Sequence, residues 1–140
     1  NAYLYNLYTA LKDRTSSTGN AHRVSFKSPG EIAPSNLYFK PGNTSPNEIV
    51  KRLKKGLYVT KVLGMHTANP ISGDFSVGAS GILIENGEKT NPVRGITIAG
   101  NLIELLKGIE EIGSDLRFIP FLGNFGSSTL LVSGITISGK

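Results

Sequence analysis

The chain has 140 residues, 39% hydrophobic and 18% charged, with a formal net charge of +5 and no cysteine. That is long enough for one domain with a core of its own. It excludes disulfides and thiolate metal sites, and no apolar run approaches the ~20 residues a membrane-spanning helix requires.

Seventeen glycines, well above average usage, favour a β-rich fold with many tight turns and close backbone approaches. The only methionine is Met65 and the chain opens Asn1-Ala2-Tyr3 without a basic-then-apolar leader, so we expect a piece of a longer protein. The charge is uneven: residues 1–61 hold ten Lys/Arg against three Asp/Glu, and residues 62–140 hold five against seven. A basic first half could meet a polyanion, but Lys51, Arg52, Lys54 and Lys55 fall on one predicted helix, and a solvated helix face is the commoner explanation. Asn43-Thr44-Ser45 has the form of a glycosylation acceptor, which without a secretory route is a chance match.

In chain order, the tyrosine-rich residues 3–10 read as a strand and the polar residues 12–23 as a loop. Residues 28–35, with Pro29, Gly30 and Pro34, form a second loop before a short strand at Asn36–Phe39. A helix is predicted over 46–55. Ser45 and Glu48 have capping-box spacing, Pro46 takes the first helical position, Ile49, Val50 and Leu53 form the buried stripe, and Gly56 ends it. Leu57–Leu63 is a strand, Gly64–Asp74 a polar loop, and Phe75–Ile84 the next strand. Asn86-Gly87 is the strongest hairpin signal in the chain, leading to a partner strand at Val93–Ala99 whose preceding Pro92 marks a strand start or an edge. A second helix is expected over 101–112, capped by Asn101, with Leu102, Leu105, Leu106, Ile109 and Ile112 on one face and Gly113 at its end. Asp115–Ile119 and Thr129–Ser138 close the chain as strands around a glycine-rich loop, Gly123–Ser128. The fold class is α+β: mostly antiparallel sheet, able to curl toward a barrel, with two inserted helices near 46–55 and 101–112 in a single domain, 1–140.

Chemistry is sparse. The polar loop and its flank offer His66, Asn69, Ser72, Asp74 and Ser76, side chains that donate, accept or titrate. His66 and Asp74 could form an acid/base pair, although a structural role fits them better: Asp74 capping backbone N–H groups, His66 packed on the loop. No serine lies in a nucleophile elbow; Gly78-Ala79-Ser80-Gly81 lacks the Gly-x-Ser-x-Gly spacing. His22 and His66 are the only histidines, without metal-ligand spacing, and Gly123–Ser128 precedes a strand rather than a phosphate-binding helix. Tyr38, Phe39 and Lys40 hint at nucleic acid, but alternating strand faces explain them as well. A groove walled by an exposed strand edge, taking extended peptide through main-chain hydrogen bonds with Asn69, Ser72 and Asp74 holding its end, is the more attractive reading.

One combination of motifs goes further. Met65-His66-Thr67-Ala68-Asn69-Pro70-Ile71-Ser72-Gly73-Asp74-Phe75-Ser76, then Gly78-Ala79-Ser80-Gly81, Ile84-Glu85-Asn86-Gly87, Pro92 through Asn101 and Gly113-Ser114-Asp115-Leu116, resembles the TldD/PmbA family, once called modulators of DNA gyrase. Ser17-Thr18-Gly19-Asn20-Ala21 extends the likeness upstream, and it covers most of the chain as the C-terminal part of a longer protein. The resemblance implies a cytoplasmic metallopeptidase of two kinds of subunit acting on unfolded peptides. It also implies a dimeric partner, either a TldD-type subunit carrying zinc or a second copy. The TldD branch carries a His-Glu-x-x-x-His helix and a late cysteine; neither occurs here, and the cysteine position falls near Phe125. Ser128-Thr129-Leu130-Leu131-Val132-Ser133-Gly134 is closer to the PmbA/TldE branch. The resemblance therefore implies a supporting domain with no zinc ligand of its own, contributing partner interface and peptide groove, with His66, Asn69, Ser72, Asp74 and Ser76 facing the cleft. Nucleic acid and membrane are not expected partners. The alternative is a non-enzymatic binding or regulatory module that touches nucleic acid through the basic half.

Overall fold

A two-residue turn organises the main antiparallel sheet. In the computed structural model, which describes residues 6–23, 25–34, 36–120 and 124–139, Asn86 and Gly87 both take positive φ, 50° and 83°. This is the left-handed pair that a tight hairpin needs to match strand twist. In chain order the elements are α1 (Leu7–Lys12), β1 (Ala21–His22), β2 (Glu31–Ile32), β3 (Asn36–Tyr38), α2 (Pro46–Lys51), β4 (Lys55–Leu63), β5 (Asp74–Glu85) and β6 (Glu88–Asn101). They continue with α3 (Leu102–Lys107), β7 (Ile109–Ile112), β8 (Arg117–Pro120), β9 (Asn124–Ser127), β10 (Leu130–Val132) and β11 (Thr136–Ser138).

The chain divides into two compact units. The larger, Phe39–Leu116 with Ser127–Lys140, holds an open antiparallel sheet of order β11-β6-β5-β4 and the antiparallel pair β10-β7. Alternation along β5 turns Val77 and Ala79 inward; they are buried, as are Ile84 nearer the turn, Ile96 of β6, and Ile49 and Val50 of α2. Burying side chains of this size contributes roughly 1.5–3 kcal/mol apiece for the larger ones. The smaller unit, the residues up to Tyr38 together with Arg117–Gly126, contains the pair β1-β2 and a sheet of order β3-β9-β8, in which β3 and β9 run parallel. There Tyr38 meets Phe118 with ring centroids 5.6 Å apart.

The α+β class and the predominance of antiparallel pairing are as expected, but no barrel closes among the described residues. Both predicted helices are present and shorter. The α2 capping box forms as predicted: Ser45 Oγ accepts from the Glu48 N–H, and Glu48 Oε2 accepts from the Ser45 N–H at 2.9 Å. The helix stops at Lys51, because the carbonyls of Leu53 and Lys54 accept from the Gly87 and Asn86 N–H groups of the hairpin turn. Lys55 is thereby turned into β4, so Gly56 is a strand residue and not the helix stop. Similarly α3 ends at Lys107. The Gly108 N–H donates to Glu104 O at 2.8 Å, and a Cβ on Gly108 would stand 2.5 Å from Ser133 O. Ile109 and Ile112, which extended the helical stripe in sequence, instead pair with β10.

Other expectations are corrected. Of the strand read at 3–10, residues 1–5 lie outside the described residues and Leu7–Lys12 is helical. Asn6 caps it, its Oδ1 accepting from Thr9 N at 2.7 Å, and this local satisfaction of a helix terminus outweighs the β-propensity of tyrosine. The loops at 12–23 and 28–35 each hold a two-residue strand, paired His22 to Glu31. The strand at Asp115–Ile119 begins only at Arg117, since the Asp115 carboxylate is engaged by Thr129 N and Oγ1, both at 2.9 Å. Thr129–Ser138 is two strands that join different sheets, broken around Ser133 and Gly134. Within the Gly123–Ser128 loop, Gly123 lies outside the described residues and Asn124–Ser127 is a strand. Pro92 is inside β6, opposite Ile82, but in the stretch where β11 does not yet pair with it, so its missing N–H interrupts no ladder on that side.

Candidate functional site

The loop between β4 and β5 is built almost wholly from local hydrogen bonds. Gly64, with φ 83°, opens a 3-10 turn over Met65–Thr67, and Thr67 closes it by donating through both N (2.9 Å) and Oγ1 (2.7 Å) to Gly64 O. Asn69 forms the second bend: its Oδ1 accepts from Ile71 N at 2.8 Å and Ser72 N at 3.2 Å, the side-chain mimic of a turn that asparagine supplies. Its backbone N–H donates to Asp74 O at 2.9 Å, and Ser72 Oγ accepts from Asp74 N at 3.2 Å.

Asn101, at the far end of β6, ties this loop to the sheet. Its Nδ2 donates to Ser72 O at 2.8 Å and to Asp74 Oδ1 at 2.9 Å, while its Oδ1 accepts from Ile103 N at 2.9 Å and so caps α3. Leu102 N adds a bond to Gly73 O at 2.8 Å. One amide side chain therefore serves the loop, the carboxylate and the helix start together. The hydrogen bond from Asn101 holds the Asp74 carboxyl below its ordinary value of 3.8, with a smaller contribution from Ser72 and a slight opposing effect of burial. A carboxylate held ionised and engaged in this way is suited to fixing a loop, and poorly suited to accepting a proton near neutrality.

Of the five residues singled out in sequence, the structure brings Asn69, Ser72 and Asp74 into one hydrogen-bonded unit. His66 is exposed on the 3-10 turn, and no hydrogen bond links it to Asp74. Ser76 is exposed on β5 opposite Ala99. Sequence reasoning recognised Asn101 only as a helix cap. Around the loop several apolar side chains stand in solvent, among them Met65, Leu102, Ile103, Leu106 and Ile71, the last 96% exposed. Apart from it, the larger unit contains a half-open, mainly apolar cavity of about 680 Å³ bordered by α2, β4 and the β10–β11 segment, with Leu53, Leu57, Phe75, Ile98 and Leu131 in its wall.

Among the described residues no group of three or more His, Cys, Asp or Glu side chains converges. Nor is any helix among them long and apolar enough to cross a membrane.

The class the fold defines is an α+β domain of mostly antiparallel sheet carrying a polar loop fixed by local hydrogen bonds. Its family is clear from comparison. Residues 1–139 match the PmbA/TldA metallopeptidase C-terminal domain, and the chain belongs to that family. A Metalloprotease PmbA homolog of Haemophilus influenzae is 35% identical over 99% of this chain and 28% of its own length. A Zinc metalloprotease TldD homolog of Saccharolobus solfataricus is 37% identical over 70% of this chain and 22% of its own. Among solved structures, TldE from Thermococcus kodakarensis superposes with a TM-score of 0.84 at 28% identity, covering 99% of this chain and 31% of that one. The chain thus spans less than a third of the relatives it matches.

Proposed function

We propose that this chain is the C-terminal domain of a PmbA/TldE-type subunit in a cytoplasmic TldD/TldE-like metallopeptidase that acts on unfolded peptides. In this reading it acts as one domain, contributing partner interface and peptide groove, while zinc is held by a TldD-type partner. A second copy of the chain would take the partner's place in a homodimer. One observation carries the proposal: the family match runs across nearly the whole chain, and the likeness to a solved TldE covers 99% of it. The chain's lack of cysteine and the likeness to TldE of Thermococcus kodakarensis support the same branch.

The loop over 64–76 is the part we assign to the cleft. Asn69, Ser72 and Asp74 hold its shape, while His66 and Ser76 stand exposed beside it, available to a peptide's main-chain groups. Its test is a paired substitution: His66→Ala with Asp74→Ala in the intact protein, assayed for peptide degradation with the partner and zinc present. The proposal expects slower degradation at an unchanged zinc content. Unchanged degradation would remove the loop from the cleft.

A further inference from the structure

The larger unit's four-stranded sheet ends on two unequal edges. β11 is three residues long, whereas β4 runs for nine and has no partner on its outer side among the described residues. A free edge presents a row of unpaired N–H and C=O groups, and folded proteins usually keep such edges short or guard them. β4 carries two guards: exposed lysines at Lys55 and Lys61, and a register irregularity between Val59 and Lys61. It also leaves Val59, Val62 and Leu63 exposed. Lysine on an edge repels basic strands and disfavours neutral ones, which would bury its charge without a counterion. It does not repel a carboxylate-bearing strand. Nearby charge adds to the bias: Lys51 and Lys54 are exposed just before β4, while Arg52 is already paired with Glu111 at 3.2 Å.

We propose that the outer edge of β4 binds an extended acidic peptide segment by strand addition. Its main chain pairs with β4; on one face its side chains meet Lys55, Val59 and Val62, and on the other Lys61 and Leu63, carboxylates beside the lysines and apolar groups over the rest. Since β4 leads directly into Gly64 and the candidate loop, this inference rests on the peptide-groove reading and names the class of peptide that groove takes.

The experiment uses the intact protein without partner or zinc, and two labelled, end-capped peptides in which pairs of valine alternate with pairs of either glutamate or lysine, so that both faces of an added strand carry charge. Binding is read by fluorescence anisotropy and its location by amide hydrogen exchange. The expected result is tighter binding of the glutamate peptide, weakened by salt, with exchange slowed across residues 55–63. Lys61→Glu lowers that affinity by about fivefold or more, and Lys61→Gln, which places no new charge in the sheet, lowers it by less. Equal binding of the two peptides, protection elsewhere, or indifference to Lys61→Glu overturns the proposal. So does slow exchange at β4 before any peptide is added, accompanied by a dimer in sedimentation, which would assign the edge to a second copy. Because no cleavage is measured, failure here leaves the supporting-subunit reading to its own test.

Discussion

Asn101 makes three hydrogen bonds through one side chain, to Ser72 O, Asp74 Oδ1 and Ile103 N, and two predictions follow from that concentration. Asn101→Ala removes the α3 cap and frees the loop, costing about 1–2 kcal/mol in denaturant unfolding. It also returns the Asp74 carboxyl toward its ordinary value, which a carboxyl-carbon NMR titration reads directly. The pH prediction follows from the sign of that shift. Because the folded-state pKa of Asp74 is depressed, its stabilisation is present above the unfolded value, ordinarily 3.8, and is lost as pH falls through the lower folded value. Asp74→Asn keeps an acceptor for Asn101 but cannot titrate, so its stability should fall less steeply than the wild type's below about pH 4. Parallel slopes would show that the carboxylate's charge is immaterial to the loop. Asn101 could have been found from sequence only by knowing the register. Counted outward from the Asn86-Gly87 turn with Glu85 facing Glu88, a regular hairpin sets Asp74 opposite Ala99. Two register shifts, between Ala79 and Gly81 and between Ile82 and Ile84, move it opposite Asn101 instead.

Elements whose signals are local were legible, and those decided by tertiary pairing were not. The α2 start, with Ser45, Pro46 and Glu48, needs only its own residues, and it forms as read. Ser45→Ala should therefore destabilise by about 1 kcal/mol, measured by thermal or denaturant unfolding. The ends of α2 and α3 depend on distant partners, the hairpin turn and β10, and no spacing rule within 46–55 or 101–112 reveals them. The hairpin turn makes the sharper test. Gly87 holds φ 83°, and a Cβ there would stand 2.6 Å from Lys51 O, so Gly87→Ala should cost about 1–3 kcal/mol by both strain and contact. An alanine variant with unchanged unfolding would mean that the junction between α2 and the turn is not as described.

At the scale of the whole molecule, fold class and family were both readable in the sequence, the first from strand patterning and turn chemistry, the second from motifs spread along the chain. The arrangement of the strands was not. Asp115–Ile119 and Thr129–Ser138 read as simple closing strands, yet they serve separate sheets, because strand pairing over such separations leaves no mark on the local pattern. The candidate loop was legible as a cluster of polar residues, while its division into a fixed unit (Asn69, Ser72, Asp74) and exposed side chains (His66, Ser76) required coordinates. We propose that this domain serves a zinc peptidase without holding its zinc. The most direct test mixes the intact protein carrying the domain, a TldD-type partner and zinc, and follows cleavage of an unfolded peptide with each component left out in turn. The account predicts cleavage only when all three are present. Cleavage by the intact protein and zinc without the partner would contradict it.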